Sequence, residues 1–214
     1  MRVGALHTVP GLVPVFHSLL TELDPGLDVV HTTDPALLAG AIERGVDDAL
    51  IAAVADHLRG LARSGATSVL VTCSSIGEAA VEAGSRAGVP VVRVDAAMGA
   101  EAVTRASRGG GRVLVLATLE ATLGPTTRLV EASAHGKAVE VTAHLVVGAA
   151  DARARGDQAV HDRLIAEAIA EARDVEAIVL AQASMATGAG DDSRVLTSPR
   201  SGSAAFVAGL SAGS

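Results

Sequence analysis

Cys73 is the only cysteine in 214 residues, and it stands where a thiol is useful. It follows an apolar run, Ser68 to Val71, that reads as a buried strand. The next residues, Ser74-Ser75-Ile76-Gly77-Glu78, predict a helix start with Ser75 and Glu78 at capping-box spacing. Free N–H groups and the dipole at a helix N-terminus favour an anion. Such a position lowers a thiol pKa from about 8.5 into the range of roughly 3.5 to 7.5, which would make Cys73 a base or a nucleophile. The alternative for a lone cysteine is a small buried hydrophobe.

A second acid or base is sought among the histidines. His7 ends the first apolar run beside Thr8, and an imidazole with a pKa near 6.5 works in either direction at neutral pH. Its other reading is a hydrogen-bonding residue lining a strand end. His144 and Asp95 read as structural, with Asp95 placed to cap a helix from Ala96. Arg200 has the fork geometry to meet a carboxylate, though a surface charge is the commoner role. The seven histidines form no HxH, HExxH or Cys/His cluster, so no metal is assigned. Gly109-Gly110-Gly111 precedes a strand, whereas a phosphate loop follows one, and it reads as a turn. Gly188 to Asp192 reads as a solvated loop able to cover a cleft.

These residues need elements to hold them. Apolar runs at Val3–Leu6, Ser68–Val71, Val89–Val94, Val113–Ala117, Ala143–Val147 and Ala177–Leu180 suit parallel strands covered on both faces. Between them lie helical patterns, clearest in Leu50, Val54, Leu58 and Leu61 with Gly65 as C-cap, and in Leu164, Ile165, Ala168, Ile169 and Ala172. The alternation predicts a doubly wound α/β fold.

The chain also repeats itself. Arg2-Val3-x-x-Leu6-x-Thr8 returns as Arg112-Val113-x-x-Leu116-x-Thr118, and Ala66–Ser75 is echoed by Val175–Ser184 at nearly the same offset. Two similar α/β lobes with mainly parallel sheets are expected, related by a pseudo-twofold, at residues 1–99 and 100–197, with 198–214 returning to the first. Ligands in open α/β sheets bind beyond the carboxyl ends of the strands, so the regions of Thr8, Cys73, Thr118 and Gln182 should ring one cleft.

Composition excludes other classes. There is no Trp or Tyr, and a net charge of −7 gives neither the stacking platform nor the basic footprint of a nucleic-acid binder. No apolar run approaches the roughly 20 residues of a membrane span, and Met1 to His7 reads as a strand and not as a signal peptide. A cytoplasmic protein, with no membrane partner and forming a homo-oligomer, is expected.

Val69-Leu-Val-Thr-Cys73-Ser74-Ser75 resembles the first-lobe cysteine motif of the aspartate/glutamate racemase superfamily. Val113-Leu-Val-Leu-Ala-Thr118-Leu-Glu-Ala-Thr122 resembles its second-lobe strand and threonine loop, and Ile178-Val-Leu-Ala-Gln182-Ala-Ser184 takes the place of its second cysteine motif. The resemblance implies a cofactor-independent isomerase acting on a small carboxylic acid between two lobes. By position it implies that Ser74, Ser75, Thr118, Thr122 and Ser184 hold the substrate carboxylate, with Thr8 near the mouth. Members of that superfamily that racemise use two cysteines, one per face of the carbon, whereas this chain has Gln182 in the second place. An amide neither titrates near neutrality nor attacks carbon, but it can hydrogen-bond a carboxylate or enediolate oxygen. Besides racemase-like isomerisation with Cys73 and Gln182, the resemblance leaves room for decarboxylation of a malonate-like acid. A carboxylate-binding protein without chemistry is the remaining alternative.

Overall fold

The strand-forming runs are short and flanked by amphipathic helices, and they assemble into two four-stranded parallel sheets. A computed structural model describes residues 1–212, so the last two residues of the tail expected to return to the first lobe lie outside the described residues. The chain divides into two compact units, residues 1–94 with 199 onward, and residues 95–198. The first division falls just before helix α5 (Ala96–Ala106), some residues ahead of Gly99. The buried face of α5, Met98, Ala102, Val103 and Ala106, belongs to the second unit's core.

In the first unit β1 (Arg2–His7), β2 (Asp28–Thr33), β3 (Val69–Val71) and β4 (Val91–Arg93) lie in the order β2-β1-β3-β4. The second repeats this as β6-β5-β7-β8, with β5 (Arg112–Ala117), β6 (Glu140–Leu145), β7 (Ala177–Leu180) and β8 (Val195–Thr197). The register repeats as well: Gly4 opposes Val69 and Arg2 opposes Asp28, while Leu114 opposes Ile178 and Arg112 opposes Glu140. The sequence echo therefore has a structural counterpart pair by pair. β2 and β8 were not among the expected strands. Both are edge strands, and without a buried run of their own they carry no apolar signal.

Helix α1 (Val13–Leu23) follows β1; α2 (Pro35–Arg44) and α3 (Asp48–Arg63) follow β2; α4 (Gly77–Ala87) follows β3. The predicted periodicity of α3 is what it buries: Leu50, Val54, Leu58 and Leu61. Its end is a Schellman motif, with Gly65 at φ +94°, Gly65 N–H on the Ala62 carbonyl and Ala66 N–H on the Leu61 carbonyl. The second unit adds α6 (Glu120–Ser133), α7 (Ala149–Ala154) and α8 (Gln158–Glu171), and α9 (Ser198–Ala212) closes the chain. Asp95 occupies the cap position of α5 and is buried, but its side chain does not bond the first turn as expected. Among the described residues no helix is long and apolar enough to cross a membrane.

Helix α9 is seated on the first unit by Gly202. A Cβ there would stand 2.0 Å from the Val94 carbonyl oxygen, a backbone atom that cannot yield without moving β4's end. Gly202→Ala should therefore cost roughly 2 kcal/mol or more, as forced overpacking does. Equilibrium denaturation would measure it, and an unchanged midpoint would show that the helix seats elsewhere.

Candidate active site

A parallel sheet sends every strand's carboxyl end to one edge, and the turns that follow carry the candidate residues. In the first unit the Thr72 N–H bonds the Leu6 carbonyl, so β1 and β3 end side by side. The next residues on the two strands are His7-Thr8 and Cys73.

Cys73 caps a 3₁₀ turn, Ser74–Ile76, and α4 begins only at Gly77 with Ile76 in the cap position. The helix start expected at Ser75 is thus displaced by one short turn, and the thiol pKa is not lowered as expected. Burial pushes the Cys73 thiol up; the Thr8 hydroxyl, the Ile76 and Ser75 amides and the Ser75 hydroxyl face the sulfur and only partly hold it down. Cys73 therefore rests as a protonated thiol while keeping some surface open to solvent. The hydroxyl of the adjoining Ser74 is buried without a hydrogen-bond partner, and the buried Thr8 hydroxyl has none besides the sulfur. Two buried donors beside a thiol suit an oxygen-bearing ligand, because unpaired they cost about 1–3 kcal/mol each.

The second unit repeats the arrangement with different chemistry. Ala181 N–H bonds the Leu116 carbonyl, and Thr118 and Gln182 stand where Thr8 and Cys73 stand in the first. Gln182 is not free. Its Nε2 donates to Thr118 Oγ1 and its Oε1 accepts from the Thr118 N–H, both at 2.7 Å. The amide closes on the neighbouring strand end and leaves the Thr118 hydroxyl, which already accepts one bond, with its proton to donate. Thr122 is fully buried in the first turn of α6, and Ser184 is half-buried in a 3₁₀ turn, Ala183–Gly188.

His7 departs most from its expected role. It is fully buried, and both ring nitrogens are occupied: Nδ1 lies 2.9 Å from Thr72 Oγ1 and Nε2 lies 2.9 Å from His31 Nδ1. Burial, and then the neighbouring His31, lower its pKa to about 4. It is a neutral, internally bonded ring, whereas a substrate base needs a free nitrogen. His31 and Thr72 escaped the sequence reading because only the β1–β2 register, in which His31 opposes Ala5, brings them to His7.

The remaining candidates are placed elsewhere. Arg200 pairs with Glu22 on the surface at 2.8 Å. His144 is exposed on β6. Gly188 packs on α8, and Asp192 pairs with Arg194 at 2.6 Å, so the acidic stretch is a tied turn and not a loose cover. Gly109-Gly110-Gly111 is a turn ahead of β5.

The family model for Asp/Glu/hydantoin racemases matches residues 12–206. Among solved structures, glutamate racemase isoform RacE1 from Bacillus anthracis is similar over 99% of this chain and 82% of its own, at 16% identity and a TM-score of 0.72. Picrophilus torridus aspartate racemase is similar over 98% and 94%, at 15% identity and 0.71. The Gly74Cys mutant of arylmalonate decarboxylase is similar over 98% and 94%, at 22% identity and 0.60. No curated protein matches the chain in sequence. At these identities the likenesses carry the two-sheet α/β fold.

Two consequences of the geometry can be measured. Above pH 6.5 His7 is neutral whether folded or unfolded; below it the unfolded ring takes a proton that the folded ring refuses until about pH 4. Stability should therefore fall as pH drops through that window, by up to about 3 kcal/mol. His7→Gln should lose less over the same range in denaturant titrations, and equal losses would contradict the burial of a neutral ring. Gln182→Leu, which keeps the bulk but strands the Thr118 N–H, should cost roughly 1–3 kcal/mol; wild-type stability would show the clamp to be idle.

Proposed function

This chain belongs to the Asp/Glu/hydantoin racemase family, and we propose that it transfers a proton at one face of a carbon beside a carboxylate, with Cys73 as the proton carrier. The observation that carries this reading is the Cys73 thiol, partly open, with amides and the Thr8 and Ser75 hydroxyls turned toward it and the buried hydroxyl of the adjoining Ser74 unpaired. A substrate carboxylate or an enediolate oxygen would give those donors their acceptor, and preorganised donors aimed at developing charge lower a barrier most. Thr118, Thr122 and Ser184 supply hydroxyls of the same kind at the second unit's strand ends. The reading needs no cofactor, since the thiol moves the proton and the donors take the charge.

Inversion of a carbon centre needs one group to remove a proton and another to return it on the opposite side. Gln182 cannot titrate, and its amide is engaged with Thr118. One-sided chemistry follows. It has two forms, isomerisation with return of the proton to the same face and decarboxylation of a malonate-like acid. The second is favoured by the raised thiol pKa. Loss of CO2 leaves its electron pair on the α-carbon as an enediolate, the Cys73 S–H bond breaks to protonate that carbon, and water restores the thiol. Such a step starts from the resting protonation state, whereas abstraction of an α-proton must first make the thiolate. A structural neighbour is an arylmalonate decarboxylase, and others are racemases.

Incubating the protein with malonates, amino acids, hydantoins and maleate in deuterated water separates the forms. Decarboxylation should give one enantiomer of a product with a single deuterium at the α-carbon; isomerase substrates should exchange with retention. Cys73→Ser should lower the rate by about 10²- to 10⁴-fold, the usual worth of a positioned acid or base, with the fold intact. Rapid racemisation by the wild type would end the one-sided reading. Activity of Cys73→Ser within about tenfold of wild type would end the role of the thiol.

A further inference from the structure

The internal repeat supplies a control for what the first unit's strand ends require. His7, His31 and Thr72 correspond in register to Ala117, Ala143 and Ala181. The second sheet is built with three methyl groups where the first has a buried imidazole, a half-buried one and a buried hydroxyl, so the fold itself does not call for them. Buried polar groups cost free energy unless every one is bonded.

In the first unit they are bonded in single file. His17 Nδ1 lies 3.1 Å from His31 Nε2, His31 Nδ1 lies 2.9 Å from His7 Nε2, and His7 Nδ1 lies 2.9 Å from Thr72 Oγ1, itself 3.2 Å from the Leu6 carbonyl. The rings run from the exposed His17 on α1 through the half-buried His31 to the buried His7, which also rests on Phe16. Among the described residues no three such groups converge on a point as metal ligands do. The carbonyl can only accept, so the Thr72 proton lies on it and the hydroxyl accepts from His7 Nδ1–H. Each N···N contact then holds one proton, donated inward by Nδ1. His17 Nε2 is left as the outer end.

Proton counting follows from this polarity. The neutral file carries three protons: one in each contact and one on His7 Nδ1. A fourth fits on His17 Nε2 at the surface with every bond kept. A fifth would put two N–H groups face to face and break a contact. The charged groups on the surrounding elements are tied in pairs of their own: Arg2 of β1 with Asp28 of β2, Asp34 after β2 with His57 of α3, and Glu22 of α1 with Arg200 of α9.

We propose that His17, His31 and His7 are positioning residues for the Thr8–Cys73 pair, and that the file holds the pair in place with up to one added proton and releases it on the second. The link is short. His7 and Thr72 bind one another one residue before Thr8 and Cys73, on strands already joined by the Thr72 amide and the Leu6 carbonyl. Burial and the adjoining rings hold the pKa values of His7 and His31 below that of free histidine, in keeping with resistance to the second proton. The inference concerns the site of the proposed function, but its test needs no substrate and stands or falls apart from it.

Nitrogen-15 spectra of histidine-labelled wild type should show His7 and His31 as Nδ1–H tautomers, against the Nε2–H form histidine prefers in water. Scalar coupling should appear across the His31–His7 contact. On acidification the file should take up its first proton with that coupling intact, and the coupling should vanish only at a later step. Alkylation of Cys73 by iodoacetamide, read by intact mass, should fall about tenfold per pH unit with the thiolate fraction and then less steeply once the coupling is lost. His31→Leu and Thr72→Val should both alkylate severalfold faster than wild type near neutral pH, where thiolate is scarce in all three. Nε2–H tautomers with independent titrations would overturn the proposal from the wild type alone. Wild-type alkylation in both variants, each folded by circular dichroism, would overturn it as well.

Discussion

One backbone hydrogen bond per unit decides what the strand ends can do. Thr72 N–H to the Leu6 carbonyl, and Ala181 N–H to the Leu116 carbonyl, fix where β1 ends beside β3 and β5 beside β7. Because the strands are parallel, both ends point the same way, and the next residues form a pair without further design. Slipping either register by one residue would turn each side chain to the other face of its sheet, and neither pair would form. Thr8 with Cys73, and Thr118 with Gln182, are the same position filled twice.

The two fillings differ in what they leave unsatisfied. Gln182 spends both ends of its amide on Thr118, so the second unit's strand ends are closed on themselves. Cys73 cannot do this. A thiol is a weak donor and acceptor, so the Thr8 hydroxyl has only the sulfur and the buried hydroxyl of the adjoining Ser74 has no partner. Unsatisfied donors in a buried place are costly, and the chain keeps them beside Cys73 while it closes the equivalent position in the other unit. The raised thiol pKa belongs to the same economy of burial: the 3₁₀ turn offers Cys73 two amides and the Ser75 hydroxyl, and Thr8 a second hydroxyl, but not enough charge stabilisation to offset its packing.

Much of this was legible in the sequence because it rests on local signals. The buried runs marked six of the eight strands, the spacing of Leu50, Val54, Leu58 and Leu61 marked α3, and the doubled offset of Arg2–Thr8 and Ala66–Ser75 marked the repeat that the register reproduces. What was missed is non-local. β2 and β8 are edge strands whose polar residues carry no alternation, and so nothing placed His31 opposite β1. The Gln182–Thr118 clamp spans two strands and has no spacing rule. Ser75 and Glu78 had the spacing of a capping box, yet an intervening 3₁₀ turn moved the helix start to Gly77, and burial, which has no spacing rule, set the sign of the thiol's pKa shift.

The repeat also shows which polar groups the fold can do without. A buried imidazole costs least when both nitrogens are bonded, and each added ring moves the unsatisfied nitrogen one place outward until it reaches water. His7 alone would leave Nε2 bare in the core, His7 with His31 would leave it half-buried, and His17 brings the end to solvent. The length of the file is thereby set by the depth of His7. The depth of His7 is set in turn by the strand end it shares with Thr8. The unit with the amide has alanine at Ala117, Ala143 and Ala181, and the unit with the thiol carries the file. The buried polar groups and the thiol occur on the same strand ends, which ties the cost of the histidines to the position of Cys73.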